Sequence, residues 1–217
     1  MQERRSEDVG GQADVRSKDA GSLEIRPISP EDAPGLAAGF ARLSDQSRYR
    51  RFLSPHRRLS SGELRYFTEV DHHDHEALVA IDRELGEGVG VARYIRSKDD
   101  PAVAELAVAV IGDWHGLGVG TRLVVALTHR AREEGINSFT ALVLAENELM
   151  LNLLADLGRV RVLHREHGTV ELTVELPQTG IGHLKRLLRA LASGEVKPRR
   201  THILQLGVRV QQRAARP

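Results

Sequence analysis

Cysteine is absent from the 217 residues. Disulfide scaffolds, thiolate zinc sites, iron–sulfur clusters and cysteine nucleophiles are thereby excluded. Aromatic residues make up only 4%, too few for the base-stacking platform of an RNA-recognition sheet. Neither sign of charge dominates: 31 Lys and Arg face 30 Asp and Glu, a net of +1. That balance argues against a chain wholly devoted to nucleic acid. No segment approaches the roughly 18 consecutive apolar residues of a membrane span, and the N-terminus shows no apolar signal-peptide core. A soluble, cytoplasmic protein is the expectation. What is present is 41% hydrophobic residues, enough for a core, in a length that suits one medium domain with extensions.

Residues 1–22 are rich in charge, Gly and Ser and are expected to form a disordered arm. The alternation Leu23-Glu24-Ile25-Arg26-Pro27-Ile28 predicts a first strand. Ser29-Pro30-Glu31-Asp32 then offers a capping hydroxyl, a first-turn proline and acids at the positive helix end, so a helix through about Leu43 should follow. Ser60 to about Val70 predicts a second helix. Ala77–Ile81 and Gly88–Tyr94 read as a hairpin, and Val103–Ile111 as a strand buried on both faces. Leu123, Val124, Leu127 and Ala131 share a helical face that Gly135 ends. Phe139–Leu144, a helix from Asn147 to Gly158, and strands Val160–Leu163 and Thr169–Val174 complete the series. The fold class is therefore α+β (mixed α/β).

The segment that carries chemistry is Ile111-Gly112-Asp113-Trp114-His115-Gly116-Leu117-Gly118-Val119-Gly120-Thr121-Arg122. Alternate glycines between a strand and a helix N-terminus suit a phosphate cradle, because backbone N–H groups approach an anion closely where no Cβ intervenes. A P-loop would need Gly-Lys-Ser/Thr, yet Gly120 is followed by Thr121-Arg122. A dinucleotide fingerprint would need a third glycine where Leu123 stands.

The pattern His115-x-x-Gly118-x-Gly120 after an apolar strand resembles the acyl-CoA loop of the GNAT superfamily of N-acetyltransferases. Two helices after the first strand, Asn147 opening a later helix and the Leu157-Gly158 pair match as well, and the likeness is to the bacterial protein-lysine-acetylating members. The resemblance covers residues 23–176. It implies a central mixed, mostly antiparallel sheet flanked by helices, with acetyl-CoA as cosubstrate and no metal. Backbone groups of Val108, Ala109 and Val110 would pair with the pantetheine arm. The N–H groups of Gly116, Leu117, Gly118, Val119, Gly120 and Thr121 would hold the pyrophosphate, with Asn147 contacting the cofactor farther along. Two positions depart from the pattern. His115 replaces the usual Gln or Arg, and Leu154, seven residues beyond Asn147, stands where many members carry a tyrosine acid, so the general acid stays open.

Glu105 is the candidate catalytic base. An amine acceptor must lose a proton before it attacks a thioester, and a lone acid in an apolar strand should not be buried without compensation. In similar protein-acetylating members a glutamate in this strand is the presumed base; against that stands a Glu105 that merely faces solvent or pairs with an arginine. With no G-x-S-x-G elbow and no cysteine, direct attack is the expected route. The acceptor is expected to be a primary amine, protein lysine before small amines. The competing class is a non-catalytic CoA-binding sensor or interaction module.

Asp71-His72-His73-Asp74-His75 resembles a metal cluster, but consecutive residues converge poorly on one ion, and a polar loop is the preferred reading. Ser47–Phe52 and Pro55–Arg58 form a dense basic stretch beside the expected acceptor site, either steering anions or simply solvated. Residues 177–217 form a basic amphipathic extension: nine Lys and Arg against Glu195 give +8, leaving −7 for residues 1–176. Docking of this tail on the domain's own acidic surface is favoured over homodimerisation through its leucine stripe, and over nucleic-acid or membrane binding.

Overall fold

The computed structural model describes residues 22–177. The 1–22 arm, save Ser22, and the 177–217 extension, save Pro177, lie outside the described residues, as do the expectations attached to them. Seven strands form one sheet: β1 (Leu23–Pro27), β2 (His75–Asp82), β3 (Glu87–Arg96), β4 (Val103–Val110), β5 (Ser138–Leu144), β6 (Arg159–Glu166) and β7 (Thr169–Glu175). Their spatial order is β1-β2-β3-β4-β5-β7-β6. All pairs are antiparallel except β4–β5, which is parallel and spans only Val103–Glu105 against Ser138–Thr140.

Between β1 and β2 run α1 (Ala33–Arg42), α2 (Asp45–Phe52) and α3 (Ser61–Thr68). The sequence predicts two helices there, so α2 is a correction. Its residues, DQSRYRRF, offer almost no apolar periodicity; what starts it is Ser44, whose side chain accepts from the Ser47 N–H, followed by Asp45 in the first turn. Ser60 and Glu63 form a reciprocal capping box at α3, with Ser60 N–H donating to Glu63 Oε2 at 2.8 Å and Glu63 N–H to Ser60 Oγ at 3.2 Å.

After β4 come α4 (Val119–Glu133) and, after β5, α5 (Glu148–Leu157). Alternation along the strands sorts the two layers. Glu76, Leu78, Tyr94 and Leu106 point toward α4, where Leu123, Val124 and Leu127 are buried. His75, Val79, Arg93 and Ala109 point toward α1–α3. One core runs through both halves of the sheet, from Leu23 and Phe40 to Phe139, Leu154 and Val174. Trp114 is buried within it, fastening the glycine-rich loop to the sheet.

The expectation that β4 is buried on both faces does not hold. Glu105 is exposed, and Val103 and Ala107 through Val110 are only half-buried. The cause is topological: beyond Glu105 the parallel neighbour diverges, and α1–α3 cover the β2–β4 half of their face but leave Leu142 of β5 half exposed.

Candidate active site

Because β4 and β5 pair at only three positions, Leu106 through Val110 pair with β3 on one side and have no strand on the other. Half of their N–H and C=O groups therefore face a gap in the middle of the sheet. Val108, Ala109 and Val110, the residues expected to meet a pantetheine arm, all lie on this free edge. Glu105 sits at the last paired position, where the strands part.

The loop from Gly112 leads into α4, which starts at Val119. Gly116 and Gly118 have φ of 77° and 78°, a region costly for any side chain, and Gly118 is the N-cap of α4 with no side-chain cap. The first N–H groups of α4 lie at the positive end of a 15-residue helix. A Cβ added at Gly112, Gly116 or Gly118 would meet nothing within 4 Å, so the loop's open side is approachable. Leu117 is partly exposed, Val119 is buried beneath the loop, and Gly120 and Thr121 are the second and third residues of the helix.

His115 is turned back on the strand: its Nε2–H donates to the Val110 carbonyl at 2.7 Å. That bond joins the loop to the free edge and leaves Nδ1 as the ring's other polar atom. Asn147 is the N-cap of α5 and accepts from the Met150 N–H at 3.4 Å through Oδ1, which leaves its amide hydrogens available. Leu154, at the position where a tyrosine acid would stand, is fully buried in the core.

Around Glu105 the structure gathers residues that sequence reasoning did not unite. Its neighbour in electrostatic terms is Arg51 of α2, whose charge is disfavoured chiefly by burial and favoured by the Glu105 carboxylate. Arg93 of β3 is only 4% exposed and stacks over Phe67 at 4.4 Å. It donates to His75 Nε2 at 3.1 Å and to the Phe67 carbonyl at 3.4 Å. Burial, then the nearby Arg51 charge, brings Arg93 down to about 9. Burial first, and Arg93 second, hold His75 down at about 4, so it is a neutral acceptor. The stretch read as a basic surface is thus partly an inner wall: Arg51 is half-buried, and Phe52 stacks on His56 with centroids 4.5 Å apart.

The three clustered histidines diverge. His72 Nδ1 meets the fully buried Glu76 at 2.7 Å, His73 bonds Glu134 at the C-cap of α4, and His75 meets Arg93. Asp71 Oδ1 accepts the N–H groups of His73, Asp74 and His75, which makes the segment a tight turn. Among the described residues no group of three or more candidate ligands could share an ion. Among the same residues, no helix is long and apolar enough to cross a membrane.

The chain that carries this splayed β4–β5 pair and glycine-led helix is similar in sequence and overall fold to known proteins. The family model of the Acetyltransferase (GNAT) domain matches residues 22–160. The chain belongs to that family. It is 34% identical over 153 residues to Acetyltransferase Pat of Mycolicibacterium smegmatis, covering 70% of this chain but 45% of that protein, so it spans about half of that relative's length. It is 32% identical to Acetyltransferase PA5475 of Pseudomonas aeruginosa, over 70% of this chain and 83% of that one. The crystal structure of the GNAT domain of S. lividans PAT superposes with a TM-score of 0.66 at 33% identity, covering 71% of this chain and 90% of that one.

Proposed function

We propose that the chain is an N-acetyltransferase that moves an acetyl group from acetyl-CoA to a primary amine, protein lysine foremost, with Glu105 as general base. The observation that carries this reading is the exposed Glu105 carboxylate standing where the free edge of β4 begins, with the loop to the uncapped start of α4 leaving the other end of that edge. The residues present suit acetyl-CoA. The strand edge at Val108, Ala109 and Val110 would pair with an extended amide-bearing arm, and Gly116 through Thr121 would hold phosphates through N–H groups and helix dipole. Asn147 would donate its amide hydrogens, and His115 would hold the loop to the strand. When bound, the thioester supplies an acyl carbon on a good leaving group.

Glu105 takes a proton from the acceptor ammonium, directly or through a water, and so exposes the nitrogen lone pair. Its exposure lets a lysine on another protein reach it, which favours a macromolecular acceptor over a small one. Leu154 donates no proton. Residues 23–176 form the catalytic unit in this reading, with 1–22 and 177–217 as appendages. A non-catalytic CoA-binding module is the second reading, favoured by the buried Leu154 and by the tie between His115 and Val110.

Calorimetric titration with acetyl-CoA, followed by turnover against a lysine-peptide panel, separates these. Ligand at about 100 times Kd stabilises the fold by roughly 2.7 kcal/mol, visible as a melting shift. Glu105→Gln should keep that shift and lose turnover by a factor of about 10² to 10⁴. Absence of any shift with acetyl-CoA removes the acetyltransferase reading. Binding with unchanged turnover in Glu105→Gln removes the base assignment alone.

A further inference from the structure

Acetyl transfer gives no task to two guanidinium groups on the α1–α3 side of the sheet, that of the buried Arg93 and that of the half-buried Arg51. They line a cavity of about 170 Å³ whose other walls include Phe40, Phe52, Phe67 and Val91. Arg93 lies on the cavity wall, and Arg51 enters from α2 with its guanidinium over the Phe52 ring at 4.9 Å. Among the described residues neither forms an ion pair. Two of the five Arg93 donors are used, one on a neutral histidine and one on a carbonyl, and neither partner carries charge. The other charged pair lining the cavity is self-sufficient: Arg26 grips Asp32 through two hydrogen bonds of 2.7 and 2.6 Å. The cavity therefore holds two like charges in an apolar wall, each raising the cost of the other, and the Glu105 carboxylate acts on Arg51 alone as an opposing charge.

Such a pair is relieved by an anion, and a planar carboxylate matches the guanidinium fork. Size excludes a peptide. On this face beyond Glu105, β4 carries only the small Ala107 and Ala109, so no bulky strand side chain stands between the free edge and Arg93, which pairs across from Ala107. We propose that the cavity is an acyl subsite in which Arg51 and Arg93 hold a terminal carboxylate, so that the chain takes ω-carboxyacyl thioesters of short dicarboxylic acids. The proposal rests on the acyl-CoA reading above, and it names the donor class that this site prefers.

The probes are succinyl-CoA, butyryl-CoA of the same chain length without the carboxylate, and acetyl-CoA, each titrated calorimetrically against the full chain. Succinyl-CoA should bind more tightly than butyryl-CoA by a factor of about ten to one hundred, the range of a charge-assisted hydrogen bond. Arg93→Met and Arg51→Met should each bring that ratio toward one, and Arg93→Lys should fall between, keeping charge without the fork. Arg51, on the less buried helix, serves if Arg93→Met does not fold. Butyryl-CoA binding as well as succinyl-CoA, or a ratio unmoved in Arg51→Met, overturns the subsite while acetyl-CoA binding still stands. Failure of all three thioesters to bind overturns the acyl-CoA reading itself and the subsite with it.

Discussion

Gly158 follows α5 directly and precedes β6, and its replacement by alanine tests the packing that fixes the C-terminal half of the site. A Cβ at this position would lie 2.1 Å from the Glu175 carbonyl oxygen of β7, 3.3 Å from its carbon and 3.4 Å from a Val174 methyl. Real Cβ atoms essentially never come under 3.0 Å, so β7 and the end of α5 would have to separate by about 1 Å. The Gly158 backbone is extended, φ −174°, so conformational strain adds nothing and the cost is steric. The obstacle is a backbone carbonyl in a sheet pair rather than a side chain that can rotate away, which puts the penalty at the upper end of overpacking, about 3 kcal/mol. For a domain of this size that corresponds to a melting temperature lower by roughly 6–12 °C. Gly35→Ala is the matched control. Its Cβ would point into open space within α1, so it should stabilise by about 0.4–1 kcal/mol. Thermal unfolding followed by circular dichroism reads both. A Gly158→Ala protein that melts within about 2 °C of the parent would refute the close approach of β7 to this joint.

Two further outcomes follow from buried charge. Glu76 is fully buried and held by Arg130 Nε at 3.2 Å, His72 at 2.7 Å and the Ala77 N–H at 2.9 Å; Arg130→Met should cost about 3 kcal/mol in a denaturant melt, and the double variant with Glu76→Gln should recover most of it. No recovery would show that Arg130 acts through packing or through Glu133 and Glu134 instead. His75 binds its proton less readily in the folded chain, at about 4 against an ordinary 6.5, so the unfolded chain takes up more protons between those values. Its contribution is complete above about pH 6.5 and is lost as pH falls toward 4, and His75→Gln should flatten the stability profile across that window. A profile unmoved by the substitution would place the acid sensitivity elsewhere.

Local pattern accounts for the parts of the molecule that were legible in sequence. The β2–β3 hairpin, α4 with its Leu123–Ala131 stripe and the loop from Gly112 to Gly120 each announce themselves within a dozen residues, through period, turn chemistry and glycine spacing. Helix α2 did not, because capping by Ser44 and packing of Phe52 form it where hydrophobic periodicity is missing. Glu76 carries no local sign of its burial, which depends on Arg130, 54 positions away. The meeting of Arg51, Arg93 and His75 is equally non-local, set by where α2 lands on β4 beside β3. The half-exposure of β4 follows from strand divergence, a property of the sheet that no single segment encodes.

A seven-stranded sheet ordinarily has two borders, and this one has four. The inner pair, on β4 beyond Glu105 and on the facing side of β5, lies in the middle of the molecule. A border at the outside invites any passing strand, whereas one walled by its own sheet admits only a slender, extended guest. The usual ranking of amide protection is therefore inverted along the sheet. Among the residues from Leu106 to Val110, those N–H groups directed at the gap should exchange with solvent sooner than those of the β2–β3 ladder, which lies nearer the outer border, and slow when a guest fills the gap.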